Sequence, residues 1–340
     1  MKNRNDVLKG NPDGLGVRCD WEYTRELHIC NVFPSTGRLL LRRALRDWPI
    51  GFAGCPDDST GSGGDDDPDV SFIIGHRGVE RLSQLLLTLK TIAAQEGVNI
   101  ECIVVEQDAT PRIQASVPDW VRYIFSPVNA PVPPYNRSRA FNVGVQKASG
   151  SVLVLHDNDF LIPADYARTV TNCMEDGYQV VQPKRFLFYL THGSTASAVQ
   201  AQSLCGANEC DRVVENLEGG GSIAITREAY FAIGGMDEDF VGWGGEDNEF
   251  WDRCQLLRVN PYGYLPLVHL WHPPQPRKHS KNNPGIELLR KKSTISRRER
   301  ARELREKLCG GHDPCSGNKR GYHTQGSSVE FASLQVEEGS

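Results

Sequence analysis

Three short stretches of this sequence carry residues whose type and spacing could do chemistry. The first is Asp157-Asn158-Asp159, which follows directly on the apolar run Val152-Leu153-Val154-Leu155. Two carboxylates two residues apart at a strand end can meet one hard divalent cation and a diphosphate. Mg2+ and Mn2+ take oxygen ligands and keep positions open for phosphate. An acidic strand-to-loop turn has the same composition, because Asp and Asn are favoured in turns. The second is Gly242-Trp243-Gly244-Gly245-Glu246-Asp247-Asn248-Glu249, leading into an amphipathic helix with Phe250, Trp251, Cys254 and Leu257. Glycine lets backbone approach a ligand closely, and Trp243 offers an apolar face to a sugar ring. A carboxylate at the helix start is placed to act as a general base. Helix capping accounts for Glu246 and Asp247 equally well, but not for the Gly-Trp-Gly-Gly before them. The third is His269-Leu270-Trp271-His272, followed by a Pro-rich stretch. Either His can complete a metal site, and either can be an ordinary hydrogen-bonded structural residue.

The elements that must hold these groups begin at Val70. Val70 to Gly75 is a β-rich run, and Arg81 to Glu96 carries Leu82, Leu85, Leu86, Leu89 and Ile92 at helical spacing. Ile100 to Glu106 reads as a second buried strand, ending in Glu106-Gln107-Asp108. Val121 to Phe125 reads as a third and Ser151 to His156 as a fourth, with a helix from Asn136 to Ala148 between them. Such alternation predicts a mainly parallel sheet, in which ligands bind beyond the carboxyl ends of the strands.

Around this core, residues 1–54 read as an N-terminal extension, with a short strand at Leu27 to Phe33 and a basic helical stretch at Leu39 to Trp48. Residues 55–69 read as an acidic Gly/Ser linker. Gly285 to Leu308 is rich in Arg, Lys, Glu and Leu, as expected of one or two surface helices, and the rest of the tail is Gly- and Ser-rich. The basic run from about Arg290 to Arg305 reads as a solvated face diluted by Glu299, Glu303 and Glu306, with peripheral contact to an anionic membrane as the alternative.

The net charge of −5 over 340 residues gives no bulk reason to expect nucleic acid. Apolar residues make up 39% and charged ones 24%, as in an ordinary soluble globular protein. No apolar run reaches membrane-spanning length and no secretory signal is visible. A cytoplasmic location with reduced thiols is therefore the expectation, and the ten cysteines show no zinc-site spacing.

Taken together and in this order, the motifs resemble the GT-A glycosyltransferases. The stretch Gly219 to Arg253 (GGGSIAITREAYFAIGGMDEDFVGWGGEDNEFWDR) looks like a signature shared by β1,4-galactosyltransferases, chondroitin-type polymerases and polypeptide N-acetylgalactosaminyltransferases. Val70 to Asp159 looks like a family-2 nucleotide-binding half. The resemblance implies an α/β fold of GT-A type: Rossmann-like, mainly parallel, flanked by helices, with a smaller acceptor-side subregion. It implies a catalytic domain over 70–290, divided into a nucleotide-binding half (70–159) and an acceptor half (160–290), with 291–340 outside it. It implies a UDP-sugar donor, a glycan or glycoconjugate acceptor, and Mn2+ or Mg2+ as cofactor.

Carried over residue by residue, Arg77 faces the nucleotide, and Glu106 and Asp108 meet the uracil or ribose. Tyr135, Arg137 and Asn142 fall in a nucleotide-contact segment, with Arg137 on the diphosphate. Asp157 and Asp159 match the DXD motif, the last Asp binding metal with His272, or with His269 if the loop aligns differently. Gly220 and Trp243 line the donor sugar, Asp247 deprotonates the acceptor, and Glu246 stands beside it. Asn248 departs from the galactosyltransferase pattern, which has Asp there, so the acceptor is not carried over. Leu217 stands where donor-sugar selectivity is tuned. One base and one displacement imply inversion. A retaining transferase, a non-catalytic sugar- or nucleotide-binding module and a nucleotidyltransferase are the competing readings. The last is disfavoured by the shortness of Gly75-His76-Arg77-Gly78.

Overall fold

The computed structural model describes residues 8–10, 17–19, 25–27, 34–57, 67–129, 131, 133–207, 209–215, 220–260, 263–273 and 283–309. Most of the acidic linker, the tail beyond 309 and Leu217 lie outside the described residues, as does the stretch expected as a strand beyond Leu27.

In chain order the strands are β1 (Leu8–Gly10), β2 (Val17–Cys19), β3 (Arg25–Leu27), β4 (Val70–His76), β5 (Ile100–Glu106), β6 (Arg122–Phe125) and β7 (Val152–His156). They continue with β8 (Phe160–Leu161), β9 (Val180–Val181), β10 (Lys184–Leu190), β11 (Cys210–Glu215), β12 (Ser222–Thr226), β13 (Val259–Asn260) and β14 (Leu265–His269). The α-helices are α1 (Pro34–Asp47), α2 (Leu82–Ala93), α3 (Arg137–Lys147), α4 (Tyr166–Glu175), α5 (His192–Ala201), α6 (Arg227–Ala232), α7 (Glu246–Cys254), α8 (Pro284–Ser293) and α9 (Arg297–Cys309).

The main sheet has the order β13-β9-β12-β7-β4-β5-β6. Its β7-β4-β5-β6 half is parallel, while β12 runs antiparallel to both β7 and β9. Every residue of β7 is buried, as a central strand covered on both faces requires. Phe72 and Ile74 face one side with Leu85 and Leu89 of α2 and Val170 of α4. Ile73 faces the other with Phe141 of α3, Tyr230 of α6 and Phe250 of α7. Gly144 of α3 is required there: a Cβ would press into Ile73 and stand 3.2 Å from Val105. A second sheet, β3-β11-β10-β14-β8, shares its core with α1 and α5.

The main strands and α2 and α3 fall within a few residues of their expected positions. Two expectations change. Helix α1 begins at Pro34 and buries Leu41 and Ala44 against the second sheet, while Ala53 N donates to Lys90 O at 3.0 Å and Ala164 N to Pro49 O at 3.0 Å. Residues 34–53 are thus packed on the body from which the sequence reading had set them apart; helical periodicity shows an apolar face but not what it meets. At the other end α9 is not a solvated face throughout. Arg300, Ala301 and Leu304 are buried, because α9 packs on α6 and α7. Among the described residues no helix is long and apolar enough to cross a membrane, and Cys55, Cys102, Cys173, Cys205, Cys210 and Cys254 are free thiols.

Candidate active site

The chain leaves the main sheet at His156 and enters the second at Phe160, so Asp157-Asn158-Asp159 bridges the two. Asp157 N donates to Gly221 O and Leu270 N to Asp159 O, each at 2.9 Å. The antiparallel register of β14 and β8 sets His269 opposite Phe160, beside Asp159. His269 Nε2 lies 3.8 Å from Asp159 Oδ1, and His272 Nε2 lies 3.3 Å from Asp159 Oδ2. One ligand atom from each of the three residues lies within 4.8 Å of the others. Tyr189 stacks on the His269 ring at 4.3 Å and Phe160 meets it edge-on at 4.9 Å, which fixes its plane.

The donor chemistry of this cluster suits a divalent cation. His272 Nδ1 stands 2.7 Å from the Pro273 carbonyl, and a carbonyl only accepts, so Nδ1 carries the proton. A neutral His272 then turns the lone pair of Nε2 towards a carboxylate oxygen, and two electron pairs at 3.3 Å favour a positive charge between them. The sequence left open which His joins Asp159; the structure brings both. Asp157, also expected as a ligand, is not in this cluster but turned to Arg137. Arg81, which the sequence reading missed, donates from Nη1 to Asp159 Oδ2 at 3.0 Å. Its only signal was a basic residue just before the helix that follows the first strand.

Next to this cluster Arg137, the first residue of α3, joins three carboxylates. Its Nε and Nη2 lie 2.8 and 2.6 Å from Asp157 Oδ1, its Nη1 pairs with Asp247 Oδ1, and Glu246 Oε1 lies 3.8 Å away. Burial works against the guanidinium charge, but the three carboxylates hold its pKa well above the usual value. Burial raises the Asp157 carboxyl, with Arg137 opposing. Burial, then the neighbouring Asp247 charge, pushes Glu246 up to about 7. Glu246 also accepts from Gly244 N at 3.0 Å. Gly245, at φ +93°, turns the chain into α7 in a conformation that glycine tolerates. Asp247 stays a third exposed, and a Cβ on Gly220 would stand 3.2 Å from its Oδ2, so Gly220 does lie at the site. Trp243 is 41% exposed on the same loop.

Several expected donor contacts are committed elsewhere. Arg77 donates to Gln107 O at 2.6 Å and to Pro133 O at 2.7 Å, so it braces two loops. The Glu106 carboxylate is fully buried and accepts from Arg112 N, Ile113 N and the Tyr123 hydroxyl. Asp108 Oδ1 caps its own turn through Ala109 N at 2.7 Å. Asn142 donates to Met236 O at 2.9 Å and accepts from the Tyr230 hydroxyl at 2.6 Å, tying α3 to the segment before the Gly-Trp loop. The Tyr135 hydroxyl is buried and its ionisation is suppressed by burial. Gln107, given no role of its own in the strand-end cluster, anchors the start of α3 by accepting from Asn136 N at 2.8 Å and donating to Asn136 O at 3.1 Å.

Two family models match the chain. One, described as glycosyl transferase family 2, covers residues 79–214; the other, described as N-terminal domain of galactosyltransferase, covers 203–268. Beta-1,4-galactosyltransferase 5 of Mus musculus is 27% identical over 153 residues, 43% of this chain and 32% of that protein. The Sus scrofa protein of the same name is 31% identical over 126 residues, 36% of this chain and 26% of that protein. The chain therefore spans about a third or less of the length of these relatives. Among solved structures, the catalytic domain of Drosophila beta1,4-galactosyltransferase 7 in complex with xylobiose is similar at TM-score 0.36 and 19% identity, over 65% of this chain and 79% of that one. A mannosyltransferase from Pyrobaculum calidifontis in complex with GDP-Man and Mn2+ is similar at TM-score 0.42 and 14% identity, over 84% and 86%.

Proposed function

We propose that this chain is a glycosyltransferase of GT-A type that transfers a hexose or N-acetylhexosamine from a UDP-sugar to a hydroxyl of a glycan or glycoconjugate, with inversion; the two family matches, over 79–214 and 203–268, support the reading. The observation that carries the reading is the convergence of Asp159, His269 and His272 beside Arg137, Asp247 and Gly220. These groups come from α3, α7, the end of β14 and the loops before β8 and β12.

Asp159, His269 and His272 would hold a divalent cation. Mn2+ or Mg2+ seated there would compensate the charge of the leaving diphosphate. The donor diphosphate draws the guanidinium of Arg137 towards itself through charge-assisted hydrogen bonds. That movement frees the Asp247 carboxylate oxygen that Arg137 otherwise occupies. The acceptor O–H loses its proton to Asp247 as its oxygen bonds to the anomeric carbon. The bond from that carbon to the diphosphate oxygen breaks, and UDP departs with the electron pair. Trp243 provides an apolar wall for a sugar ring, and Arg81 offsets charge at Asp159. One displacement on one face inverts the centre.

The test is binding and slow hydrolysis of a panel of nucleotide sugars with Mn2+, with Mg2+ and with chelator. Metal-dependent binding of one uridine diphosphate sugar, and an inverted anomer in the product, are the expected results. Failure of every donor to bind under all three conditions would sink the reading.

A further inference from the structure

The two C-terminal helices, which the sequence reading placed at and beyond the edge of the catalytic domain, grip its most delicate part from two sides. On one side, Asn283 Nδ2 donates to Trp243 O at 3.1 Å while its Oδ1 caps α8 through Gly285 N at 2.9 Å. Gly285 lies so close to Gly244 that a Cβ there would collide with the Gly244 carbonyl oxygen, and its own carbonyl oxygen stands 2.7 Å from where a Cβ of Gly245 would be. Further along α8, Lys292 Nζ pairs with Asp237 at 2.7 Å and Asp239 at 2.8 Å, just before the same loop.

On the other side the contact is ionic and buried. Glu249 of α7 has no exposed side-chain surface. It takes a two-pronged pair from Arg253, at 2.7 Å on each oxygen, and a third bond from Arg300 Nη1 of α9, also at 2.7 Å. Arg300 Nη2 reaches Asp252 Oδ2 at 2.5 Å, and Arg297 holds the other oxygen of Asp252 at 2.7 Å. Glu249 lies one helical turn after Glu246. Over so short a span a helix moves as a rigid rod, so what fixes Glu249 and Asp252 also fixes the direction in which Glu246 and Asp247 point.

We propose that α8 and α9 form a clasp on the Gly242–Gly245 loop and α7, and that Arg300 is a positioning residue for the transfer reaction, acting through Glu249 on the pose of Asp247. The clasp rests on the contacts alone; its effect on turnover rests on the function proposed above. Misplacement of a reacting group by about 1 Å costs about a hundredfold in rate, which sets the size of the effect.

The test compares Arg300→Met, Arg300→Lys and Gly285→Ala with the full chain. Arg302→Ala, at an exposed pair with Glu299, serves as the control. In Arg300→Met, Glu249 keeps its pair with Arg253, so the buried carboxylate stays neutralised. The expected result is faster amide exchange confined to 242–254, nucleotide-sugar affinity within about twofold of the parent, and kcat lower by about ten- to a hundredfold. Arg300→Lys recovers part of the loss, because an ammonium can serve one carboxylate at a time. Gly285→Ala gives the same exchange pattern and fall in kcat by displacing the loop, with a loss of donor affinity besides because that loop carries Trp243. Unchanged exchange at 242–254 in both Arg300→Met and Gly285→Ala overturns the clasp. Faster exchange throughout β4, β5 and β7 with a parallel loss of donor affinity also overturns it, since Arg300 would then hold the fold in general. If the parent chain transfers no sugar but the exchange pattern appears, the clasp stands and the proposed function falls.

Discussion

Nη1 of Arg137 donates to Oδ1 of Asp247 although 110 positions separate them in the chain. The pair closes a path from the acidic loop after β7, through the start of α3, to the start of α7. The pairing occupies a carboxylate oxygen of Asp247 and commits the guanidinium before any diphosphate arrives. The two expected roles, phosphate contact and proton acceptance, are therefore coupled through one hydrogen bond.

Replacing Asp247 with Asn should leave donor affinity nearly unchanged and lower turnover by about two to four decades, the scale of general-base loss. Steady-state kinetics with calorimetric donor binding would check this. Near-normal turnover would remove Asp247 from the role.

Asp159→Ala should weaken Mn2+ binding by about a hundredfold or more, since it removes the anionic member of a three-residue donor set. Asp157→Asn should change it far less, because Asp157 is paired with Arg137 outside that set. Equal losses in the two variants, read by titration calorimetry, would contradict the assignment.

Glu246 gives a pH dependence with a definite sign. Its folded pKa is raised from 4.5 to about 7, mainly by burial. Between those values the folded state binds more protons than the unfolded chain, so this group's contribution to stability falls as pH rises through that window. Glu246→Gln should flatten the decline, seen as melting temperature against pH from 4.5 to 7. An unaltered slope would place the shift elsewhere.

Asn142→Ala should cost about 1–3 kcal/mol of stability, the usual range when a buried polar partner is removed. It leaves Met236 O, Met236 N and the Tyr230 hydroxyl each short of one bond. Donor affinity should hold if the side chain is a tether, and chemical denaturation alongside nucleotide binding separates the two roles.

The main parallel sheet was legible because its strands are continuous apolar runs, and apolar runs punctuated by helical spacing admit few arrangements. The same regularity made Asp159, Asp247 and the two histidines conspicuous, as polar groups directly after apolar strands or before a helix. Saturation was not legible. Glu106 and Arg77 stand at strand ends as a ligand-binding residue would, yet Glu106 accepts from loop amides and the Tyr123 hydroxyl, and Arg77 spends three of its N–H bonds on Gln107 and Pro133. Arg300 shows the opposite limit. In a run of Arg and Glu, a buried guanidinium has the same letter as a solvated one, and only the docking of α9 against α7 distinguishes them.

The crossing at Asp157–Asp159 has a mechanical side. Asp159 adjoins β8 and its carbonyl accepts from Leu270 N, so it and His269 are both held by the small sheet, whereas Asp157 is tied to Gly221 at the start of β12 in the large one. Any shear of one sheet over the other would leave the gap between Asp159 and His269 intact and change the reach from that pair to Arg137 and Asp247. A diphosphate spanning the two would act as a rivet through both plates, so the donor-free protein should yield first along that seam.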